Sequence, residues 1–234
     1  MSKFQYYKSY LPNQKLLSKF YIDKNLDKNL YKFILDNSSI ILPKNKFKII
    51  SSPLFSLEEM ASNPISLQFL KWLIIFSKPK NVLEIGCFVG LSTMEMASVL
   101  SQGSKITTIE KFKDFAEIAK KNFKFNKLNK KIILINEDAI KFLKKINKTS
   151  YDIIFIDGDK VNYLNIFKLC EKVISKNGFF IIDNIFNQGD SINKYPQTSR
   201  GLGVKKLVNY LRGRKDLVKC ILPFYDGLML VKKI

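Results

Sequence analysis

The stretch KNVLEIGCFVGLS, residues 80–92, decides the fold. A short apolar run that carries one carboxylate, Glu84, ends at Gly86, and a tight turn leads through Gly90 into an apolar-periodic segment. This order of strand, glycine turn and helix is typical of nucleotide-type pockets, where glycine permits a sharp turn and the first N–H groups of the helix stay free for a ligand. The stretch lacks the full three-glycine fingerprint, so an ordinary strand-to-helix turn is the competing interpretation.

Downstream of this stretch, strands and helices alternate. The predicted strands are Val82 to Gly86, Lys105 to Glu110, Ile132 to Ile135, Tyr151 to Asp157 and Gly178 to Asp183. The predicted helices run from about Leu91 to Leu100, along a stripe of Phe112, Ala116, Ala119 and Phe123, from Ala139 to Ile146, and along a stripe from Tyr163 to Ile174. Apolar strands separated by helices predict a parallel sheet that is covered on both faces, with right-handed crossovers.

The end of the chain has a different pattern. A helix is predicted over Lys205 to Leu211, and strands over Leu217 to Leu222 and Leu228 to Val231. The connection of five residues between the two strands is too short for a crossover helix, so they must be antiparallel neighbours. The predicted fold class is therefore α/β, a Rossmann-like, seven-stranded, mostly parallel sheet with a C-terminal antiparallel hairpin and helices on both faces.

The first part of the chain lacks this alternation. Helical segments are predicted around Pro12 to Tyr21 and Leu26 to Ile34, and Ser66 to Ser77 predicts a helix closed by Lys78-Pro79. We therefore expect two regions, a helical N-terminal extension over residues 1–55 and a main domain over residues 56–234. The extension is expected to pack on the core or on a partner subunit, in a homodimer.

The composition excludes several kinds of site. The chain has no histidine, which excludes His-based triads, His-ligated zinc and imidazole general bases. Cys87, Cys170 and Cys220 are widely spaced and odd in number, so buried free thiols are expected instead of a disulfide framework. The apolar stretch from Leu67 to Phe76 is too short to span a bilayer, and the N-terminus lacks a signal-peptide pattern. A cytoplasmic protein without membrane contact is expected.

The charge has two interpretations. A formal net charge of +20 suggests nucleic-acid binding. However, arginine occurs only at Arg200, Arg212 and Arg214, and the chain is rich in Lys, Asn, Ile, Phe and Tyr. This joint skew is typical of A/T-rich codons, which raise the lysine content without selecting a binding surface. Both interpretations stay open.

Polar residues follow the predicted strands where a parallel sheet binds its ligands. Glu110 ends the second strand, where an acid can accept both ribose hydroxyls of an adenosine-type ligand or stabilise the start of the next helix. Asp157, Asp183 and Asn184 are oxygen donors at adjacent strand ends, and they suit a hard cation such as Mg²⁺ or Ca²⁺, although turns and caps use the same residues. A dication beside Lys160 would favour loss of its proton, so Lys160 could act as a general base.

Several ordered motifs resemble the cation-dependent class I S-adenosylmethionine O-methyltransferases, the family of the caffeoyl-CoA and catechol O-methyltransferases. They are Val82-Leu83-Glu84-Ile85-Gly86, Asp157-Gly158-Asp159-Lys160 with Tyr163, Gly178 with Asp183-Asn184, and Leu222-Pro223 with Asp226-Gly227-Leu228. The resemblance covers roughly residues 56–234. It implies an enzyme that moves a methyl group from S-adenosylmethionine to a hydroxyl of a catechol-like small molecule.

The resemblance also implies roles for individual residues. Glu84, Gly86 and Ser92 would contact the methionyl end of the cofactor, Glu110 the ribose, and Asp138 with Ala139 the adenine, while Met60, Ser62 and Asp157 would line the same pocket. Asp157, Asp183 and Asn184 would hold the divalent cation, with Mg²⁺ expected first and Ca²⁺ or Mn²⁺ as alternatives. Lys160, beside Asp157, would deprotonate the acceptor hydroxyl.

The chain departs from the family pattern near the acceptor. The residues after Asp183-Asn184 lack the tryptophan that many relatives place there, and Phe186 is the aromatic residue at that point. One alternative is O-methylation of a hydroxylated tRNA uridine, for which Lys113, Lys120, Lys124, Lys127 and Lys131 would form a phosphate track. Another is a binding module without catalysis, which the complete set of Asp157, Lys160, Asp183 and Asn184 argues against.

Overall fold

The computed structural model describes residues 62–146 and 150–234, together with Phe33, Asn37, Phe47, Ile49, Ile50, residues 52–55 and Met60. The chain divides into two compact units, Met1–Leu42 and Pro43–Ile234. In the first unit, the side-chain amide of Asn37 donates to the carbonyl of Phe33 at 2.9 Å. The helices predicted near residues 12–21 and 26–34 lie outside the described residues, apart from Phe33. The predicted domain boundary at residue 55 stays a prediction.

Seven strands of the second unit form one sheet. They are β1 (Asn81–Ile85), β2 (Lys105–Glu110), β3 (Ile132–Asn136), β4 (Tyr151–Ile156), β5 (Ile174–Ile182), β6 (Leu217–Leu222) and β7 (Leu228–Lys233). The strand order is β3-β2-β1-β4-β5-β7-β6, in which the first five strands are parallel, β7 is antiparallel to β5, and β6 is antiparallel to β7. The predicted fold is confirmed. The order reverses between β1 and β4, and α/β proteins bind ligands outside the carboxyl ends of the strands at such a point.

Six α-helices in the described residues cover the two faces of the sheet. They are α1 (Pro64–Ser77), α2 (Leu91–Val99) and α3 (Lys113–Phe125) on one face, and α4 (Ala139–Lys145), α5 (Tyr163–Cys170) and α6 (Ser199–Gly213) on the other. β1 serves both cores, because successive side chains of a strand point to opposite faces. Val82 packs with α1, α2 and α3, and Leu83 packs with the helices of the other face. Both side chains are fully buried.

Two helices begin earlier than the apolar spacing predicts, because capping residues extend them. The Asn63 side chain accepts a hydrogen bond from the Ile65 N–H at 2.9 Å, so α1 starts at Pro64, where proline is tolerated. The Thr198 hydroxyl accepts from the Gly201 N–H at 2.9 Å, so α6 starts at Ser199 instead of Lys205.

One predicted helix is too long. Ile174 was expected to continue the helical stripe of α5, but it is the first residue of β5. The helix ends at Cys170, and the Val173 N–H donates to the Cys170 carbonyl at 3.1 Å in the turn that follows. Buried strands and buried helix faces are both apolar, so spacing alone does not separate them here.

Two residues expected in the core are exposed. Phe112 is the N-cap residue of α3 and is 60% exposed, while Phe115 is buried in the same helix. Cys220 is exposed on the terminal strand β6, whereas Cys87 and Cys170 are buried free thiols as predicted. Among the residues described, none of the helices has both the length and the apolar character needed to cross a membrane.

Candidate active site

The glycine turn that follows β1 lies against the chain that follows β4. The backbone of Gly86 has φ of +95°, and a Cβ atom there would lie 2.4 Å from the carbonyl oxygen of Asp157. Only glycine meets both conditions without a shift of the backbone. The Gly86 N–H donates to the Ile109 carbonyl of β2 at 3.0 Å. The turn is therefore fixed between the ends of β2 and β4.

Glu84 is fully buried beneath this turn. Its carboxylate accepts hydrogen bonds from the hydroxyls of Ser92 at 2.6 Å and Thr108 at 2.5 Å, and also from that of Thr93. Burial raises the pKa of Glu84 to about 7, although the three hydroxyls oppose this rise. The structure thus brings the predicted residues Glu84 and Ser92 into contact. It adds Thr108, whose place opposite Glu84 in the β1–β2 register could have indicated the contact.

Glu110, at the end of β2, fastens the same turn. One carboxylate oxygen accepts from the backbone N–H groups of Phe88 at 2.8 Å and Cys87 at 3.3 Å, and the other accepts from the Phe112 N–H at 2.9 Å. A carboxylate has about four acceptor positions, and these three N–H groups use three of them, so about one is left for a ribose hydroxyl. Binding of ribose and stabilisation of the start of α3 are therefore compatible roles for Glu110, and the bond from the Phe112 N–H shows the second.

Asp138 caps α4, in which Ala139 is the first residue. Its Oδ1 atom accepts from the N–H groups of Ile140 at 3.0 Å and Lys141 at 3.1 Å. The Oδ2 atom lies 3.6 Å from Nζ of Lys111. Capping accounts for one oxygen of Asp138, and the other oxygen faces only an exposed lysine.

The segment upstream of α1 is tied to the glycine turn by Asn122, a residue that the sequence analysis missed. The Asn122 side chain accepts from the Ile50 N–H at 2.7 Å and donates to the carbonyls of Ile50 at 3.0 Å and Val89 at 2.9 Å. Nothing in the sequence around this asparagine, which lies in a polar helix, indicates that it binds a distant segment of the chain. In the same upstream segment, Met60 is 46% exposed and Ser62 is half-buried.

Lys160 is a buried lysine beside a carboxylate. Its Nζ atom lies 3.3 Å from Oδ1 of Asp157, and the side chain is only 9% exposed. The lysine begins a short 3₁₀ helix, Lys160–Asn162, that Asp159 caps through the Val161 N–H. Helix α6 packs directly on this turn, since a Cβ atom at Gly203 would lie 2.3 Å from the Lys160 carbonyl oxygen. These contacts distinguish Lys160 from a solvated surface lysine.

Asp183, at the end of β5, is buried beside this pair. Its carboxylate accepts from the Asn184 N–H at 2.8 Å. Burial raises the pKa of Asp183 to about 8, the negative charge of Asp157 adds to the rise, and the positive charge of Lys160 opposes it. The phenol of Tyr163 donates to the Asp183 carbonyl at 3.2 Å, and burial raises the pKa of Tyr163 well above its usual range. Tyr163 therefore remains a neutral donor that supports the backbone of Asp183.

Asp226 is a third acid at this site, and the sequence analysis gave it no role there. It lies in the turn between β6 and β7. Burial raises its pKa, and the hydrogen bond from the Gln188 N–H at 2.6 Å and the positive charge of Lys160 oppose this rise. The predicted antiparallel hairpin could have indicated that Asp226 lies near the site. Because Met229 of β7 pairs with Ile182 of β5, the turn that precedes β7 must lie beside Asp183.

Comparison with known proteins decides the family. A model of the family described as O-methyltransferase matches residues 45–234. The chain belongs to this family. The prediction of a class I S-adenosylmethionine-dependent O-methyltransferase is confirmed at this level.

Three related proteins illustrate the match. Caffeoyl-CoA O-methyltransferase 2 of Petunia hybrida is 29% identical over 226 residues, which cover 88% of this chain and 90% of that protein. The SAH-bound methyltransferase PaMTH1 of Podospora anserina has the same fold, with a TM-score of 0.76, 21% identity, and coverage of 91% of this chain and 97% of that one. TomG of Streptomyces achromogenes, an O-methyltransferase solved with SAM, has a TM-score of 0.70 and 22% identity, with coverage of 74% and 82%.

The side chains at this site of the O-methyltransferase can be compared with the ligands that the predicted divalent cation requires. Among the described residues, no three side chains of the His, Cys, Asp and Glu types lie close enough together to hold a metal ion. The predicted set is different, since it has two carboxylates, Asp157 and Asp183, and one amide, Asn184. All its donors are oxygen atoms, which suit a hard dication, and two acids whose charges repel would both be stabilised by a cation. The residues fit the group, and cation binding stays a prediction.

The lysines proposed as a phosphate track differ in their surroundings. Lys113, Lys120, Lys124 and Lys127 are exposed on or after α3. Lys131 instead donates to the carbonyls of Leu100 at 2.6 Å and Ala97 at 3.3 Å, and so satisfies the C-terminal end of α2. Lys131 therefore has a structural role in this O-methyltransferase.

Proposed function

We propose that this O-methyltransferase moves a methyl group from S-adenosylmethionine to a hydroxyl of a catechol-like small molecule, with the support of a divalent cation. The observation that carries the proposal is the buried lysine Lys160, whose Nζ lies 3.3 Å from Asp157 beside the buried acid Asp183. A base next to an oxygen-donor set is the arrangement that deprotonation of a chelated hydroxyl requires.

The glycine turn and the ends of β2 and β3 supply the proposed cofactor pocket. The cofactor, when bound, supplies the methyl group on its sulfonium. Ser92 and the backbone at Gly86 would hold its methionyl end, with Glu84 orienting the Ser92 hydroxyl at 2.6 Å. The carboxylate of Glu110 has about one acceptor position left, and it would bind one ribose hydroxyl. The Oδ2 atom of Asp138, which does not take part in capping, and the N–H of Ala139 would bind the adenine, and Met60 and Ser62 would cover it.

Asp157, Asp183 and Asn184 would hold the cation, with Mg²⁺ favoured over Ca²⁺ or Mn²⁺. When bound, the cation would orient two neighbouring hydroxyls and stabilise the negative charge on one of them. The protein's own contribution is a fixed frame. The Asp183 N–H donates to the Ile156 carbonyl at 3.0 Å, and Tyr163 supports Asp183 from below. Such rigidity matters because methyl transfer depends on positioning of the reacting atoms.

Lys160 is the proposed general base. Its Nζ atom would take the proton of the acceptor hydroxyl, and Asp157 would then stabilise the resulting ammonium. The packing of α6 against the Lys160 carbonyl restricts the backbone of the lysine to this position. An acceptor with two adjacent hydroxyls suits the site, because one can be deprotonated while both meet the oxygen-donor set.

The acceptor is proposed from the relatives and from the site together. The Petunia relative is named a caffeoyl-CoA O-methyltransferase, which supports a small-molecule acceptor over the tRNA alternative. The place of the missing tryptophan is only partly taken by Phe186, whose ring lies against the turn at Gly227. We therefore propose a vicinal aromatic diol as the class of acceptor. Its ring need not have the same shape as that of the plant substrates.

The test is transfer of a radiolabelled methyl group to a panel that holds 3,4-dihydroxybenzoate, caffeoyl-CoA and bulk undermodified tRNA. We expect transfer to the diols and none to tRNA. Asp183→Asn should abolish transfer, while Asp114→Asn, which changes an exposed acid in the first turn of α3, should leave it unchanged. Labelling of tRNA alone, or full activity of Asp183→Asn, would overturn the proposal.

A further inference from the structure

We infer that Asn122 and Phe115 of helix α3 are positioning residues for the binding of S-adenosylmethionine. Each of them contacts two segments at once, the glycine turn after β1 and an upstream strap. The strap is residues 49–55, of which the structure describes all but residue 51. The inference rests on the proposed cofactor pocket, and it adds two residues outside the set proposed to contact the cofactor.

Asn122 forms the polar connection between the two segments. Its side chain is fully buried and accepts from the Ile50 N–H at 2.7 Å. It also donates to the carbonyl of Ile50 at 3.0 Å and to that of Val89, in the glycine turn, at 2.9 Å. Loss of this amide would leave the buried Val89 carbonyl without this partner, which is costly, and would release both bonds to the strap. One side chain therefore fixes both segments.

The aromatic ring of Phe115 forms a second connection. It is buried and packs edge-to-face on Phe55 of the strap and Phe88 of the glycine turn, with ring centroids 6.2 Å and 5.0 Å away. Phe88 has φ of 50°, in the left-handed region that non-glycine residues rarely adopt, and such a conformation persists where the surroundings fix it. The ring of Phe115 fixes it from one side, and Glu110 binds its N–H at 2.8 Å.

The two contacts give the strap a direction along α3. Asn122 lies about two helical turns after Phe115, and both side chains are on the buried face of this helix. Ile50 is bound at the later position and Phe55 at the earlier one. The strap therefore runs antiparallel to α3, toward the N-terminus of the helix.

The N-terminus of α3 lies at the ribose end of the proposed pocket. There the Phe112 N–H donates to the carboxylate of Glu110 at 2.9 Å. Met60 and Ser62, which are proposed to cover the adenine, follow the strap in the chain. A strap that is fixed on α3 therefore leads the chain to this end of the pocket, and it limits the positions that Met60 and Ser62 can take.

Helix α3 also supports the other end of the pocket. A Cβ atom at Gly90, the N-cap residue of α2, would lie 2.3 Å from Cε1 of Phe123, so the glycine turn rests directly on α3. Ser92, which is proposed to bind the methionyl end of the cofactor, is in the first turn of α2. The strap and the turn are thus held on one helix, and a cofactor that contacts both segments binds best when they are held together.

Packing alone would not require an amide at position 122. Ala116 and Ala119 occupy the same buried face of α3 with methyl groups. A buried amide is costly unless its hydrogen bonds are made, and Asn122 makes them to two segments that are far apart in the chain. Its role is therefore to fix those segments relative to each other.

The test compares the dissociation constant for SAH, measured by calorimetry on the full-length protein, in the wild type and in Asn122→Ala. Release of the strap lowers the population of the binding-competent arrangement, and a fall to about one tenth weakens SAH binding about tenfold. Phe115→Leu should change it in the same direction. The KM for S-adenosylmethionine should rise by a similar factor, whereas kcat at saturating S-adenosylmethionine should stay within about twofold, because bound cofactor restores the competent arrangement.

The control is Leu211→Ala, which removes a fully buried side chain from α6 on the other face of the sheet. It should lower the Tm in thermal unfolding and leave the dissociation constant for SAH unchanged, and a role in stability alone predicts the same for Asn122→Ala. A wild-type dissociation constant in Asn122→Ala would overturn this inference and leave the proposed function standing. A wild-type protein that binds no SAH would overturn both.

Should neither variant at the strap fold, hydrogen exchange in the wild type decides. The coupling between strap and cofactor is reciprocal, so saturating SAH should slow exchange of the Ile50 amide about tenfold more than that of the Arg214 amide. The Arg214 N–H is a suitable reference because it donates to the Leu211 carbonyl at 3.1 Å, at the end of α6. Equal slowing of the two amides would overturn the inference.

Discussion

The Nζ atom of Lys160 lies 3.3 Å from Oδ1 of Asp157, and both side chains are largely buried. A lysine and an aspartate three residues apart could form an ordinary surface pair. Here they lie at the carboxyl end of β4, next to the buried acid Asp183 and beneath helix α6. The pair is thus part of a fixed site at the edge where α/β proteins bind ligands.

Removal of the lysine should reduce the chemical step and spare cofactor binding. Lys160→Met keeps the length of the side chain and removes its proton acceptor, so kcat should fall by about 10²- to 10⁴-fold. The dissociation constant for SAH, measured by calorimetry, should stay within about threefold of the wild-type value because Lys160 is not itself one of the proposed cofactor-binding residues. Lys176→Met, an exposed lysine in β5, is the matched control. A kcat near that of the wild type would remove Lys160 from its role as the base.

Glu84 should make stability depend on pH. Its pKa is about 7 in the folded protein against 4.5 for the free side chain, so the folded state binds the proton more tightly. Stability from this residue is full below about pH 4.5 and is lost as the pH rises to about 7, which costs about 2–3 kcal/mol between pH 5 and pH 8.

The measurement compares urea unfolding of the wild type and Glu84→Gln at pH 5 and pH 8. Glutamine cannot ionise, so the difference between the two free energies of unfolding should shift in favour of the variant at pH 8. Other titrating groups cancel in this difference. A difference that is the same at both pH values would mean that Glu84 is ionised in the folded protein throughout this range.

Alanine substitutions should separate two effects at Gly86, the steric contact with Asp157 and the cost of a positive φ. Gly86 and Gly103 both have positive φ, at +95° and +82°, but a Cβ atom at Gly103 would meet nothing within 4 Å. Gly103→Ala should therefore cost only the conformational penalty of about 1–2 kcal/mol. Gly86→Ala should cost more and should also weaken SAH binding, because the Asp157 carbonyl must move. Equal losses of stability in urea unfolding would contradict the close contact.

Gly203 should connect the packing of α6 to catalysis. A Cβ atom there would lie 2.3 Å from the Lys160 carbonyl, whereas one at Gly213, near the end of the same helix, would meet nothing within 4 Å. Gly203→Ala should displace Lys160 and lower kcat at least tenfold, which corresponds to a rise of about 1.4 kcal/mol in the activation barrier. Gly213→Ala should be neutral or slightly stabilising, since alanine favours helix. Steady-state kinetics and thermal unfolding of both variants check this, and an unchanged kcat in Gly203→Ala would show that α6 does not position the lysine.

Much of the fold could be predicted because local pattern and tertiary position agree. The strand Lys105–Glu110 and the strand Leu217–Leu222 have the predicted bounds, since apolar runs between turn residues mark them clearly. The prediction at Ile174 is wrong because its spacing fits both a helix and a buried strand. Phe112 is exposed because it is the N-cap residue of α3 and lies one position before the first helical residue, Lys113.

The site residues that could be predicted from the sequence are those at the carboxyl ends of parallel strands. Glu84, Glu110, Asp157 and Asp183 each lie at or near the end of a parallel strand, and a parallel sheet gathers such ends at one edge. Asp226 and Asn122 lie outside this rule. Asp226 reaches the edge through an antiparallel turn, and Asn122 acts from the last turn of α3 on Ile50, 72 residues away. Contacts of that kind depend on tertiary packing, which periodicity does not describe.

The most direct test of the account is the rate of tritium-labelled methyl transfer from S-adenosylmethionine to 3,4-dihydroxybenzoate by the wild-type protein, measured after removal of cations with EDTA and again after addition of Mg²⁺. We expect transfer at the level of the enzyme-free control in EDTA and recovery of the original rate with Mg²⁺, because the repelling pair of Asp157 and Asp183 is proposed to act through a dication. A rate that is the same with EDTA and with Mg²⁺ would contradict it.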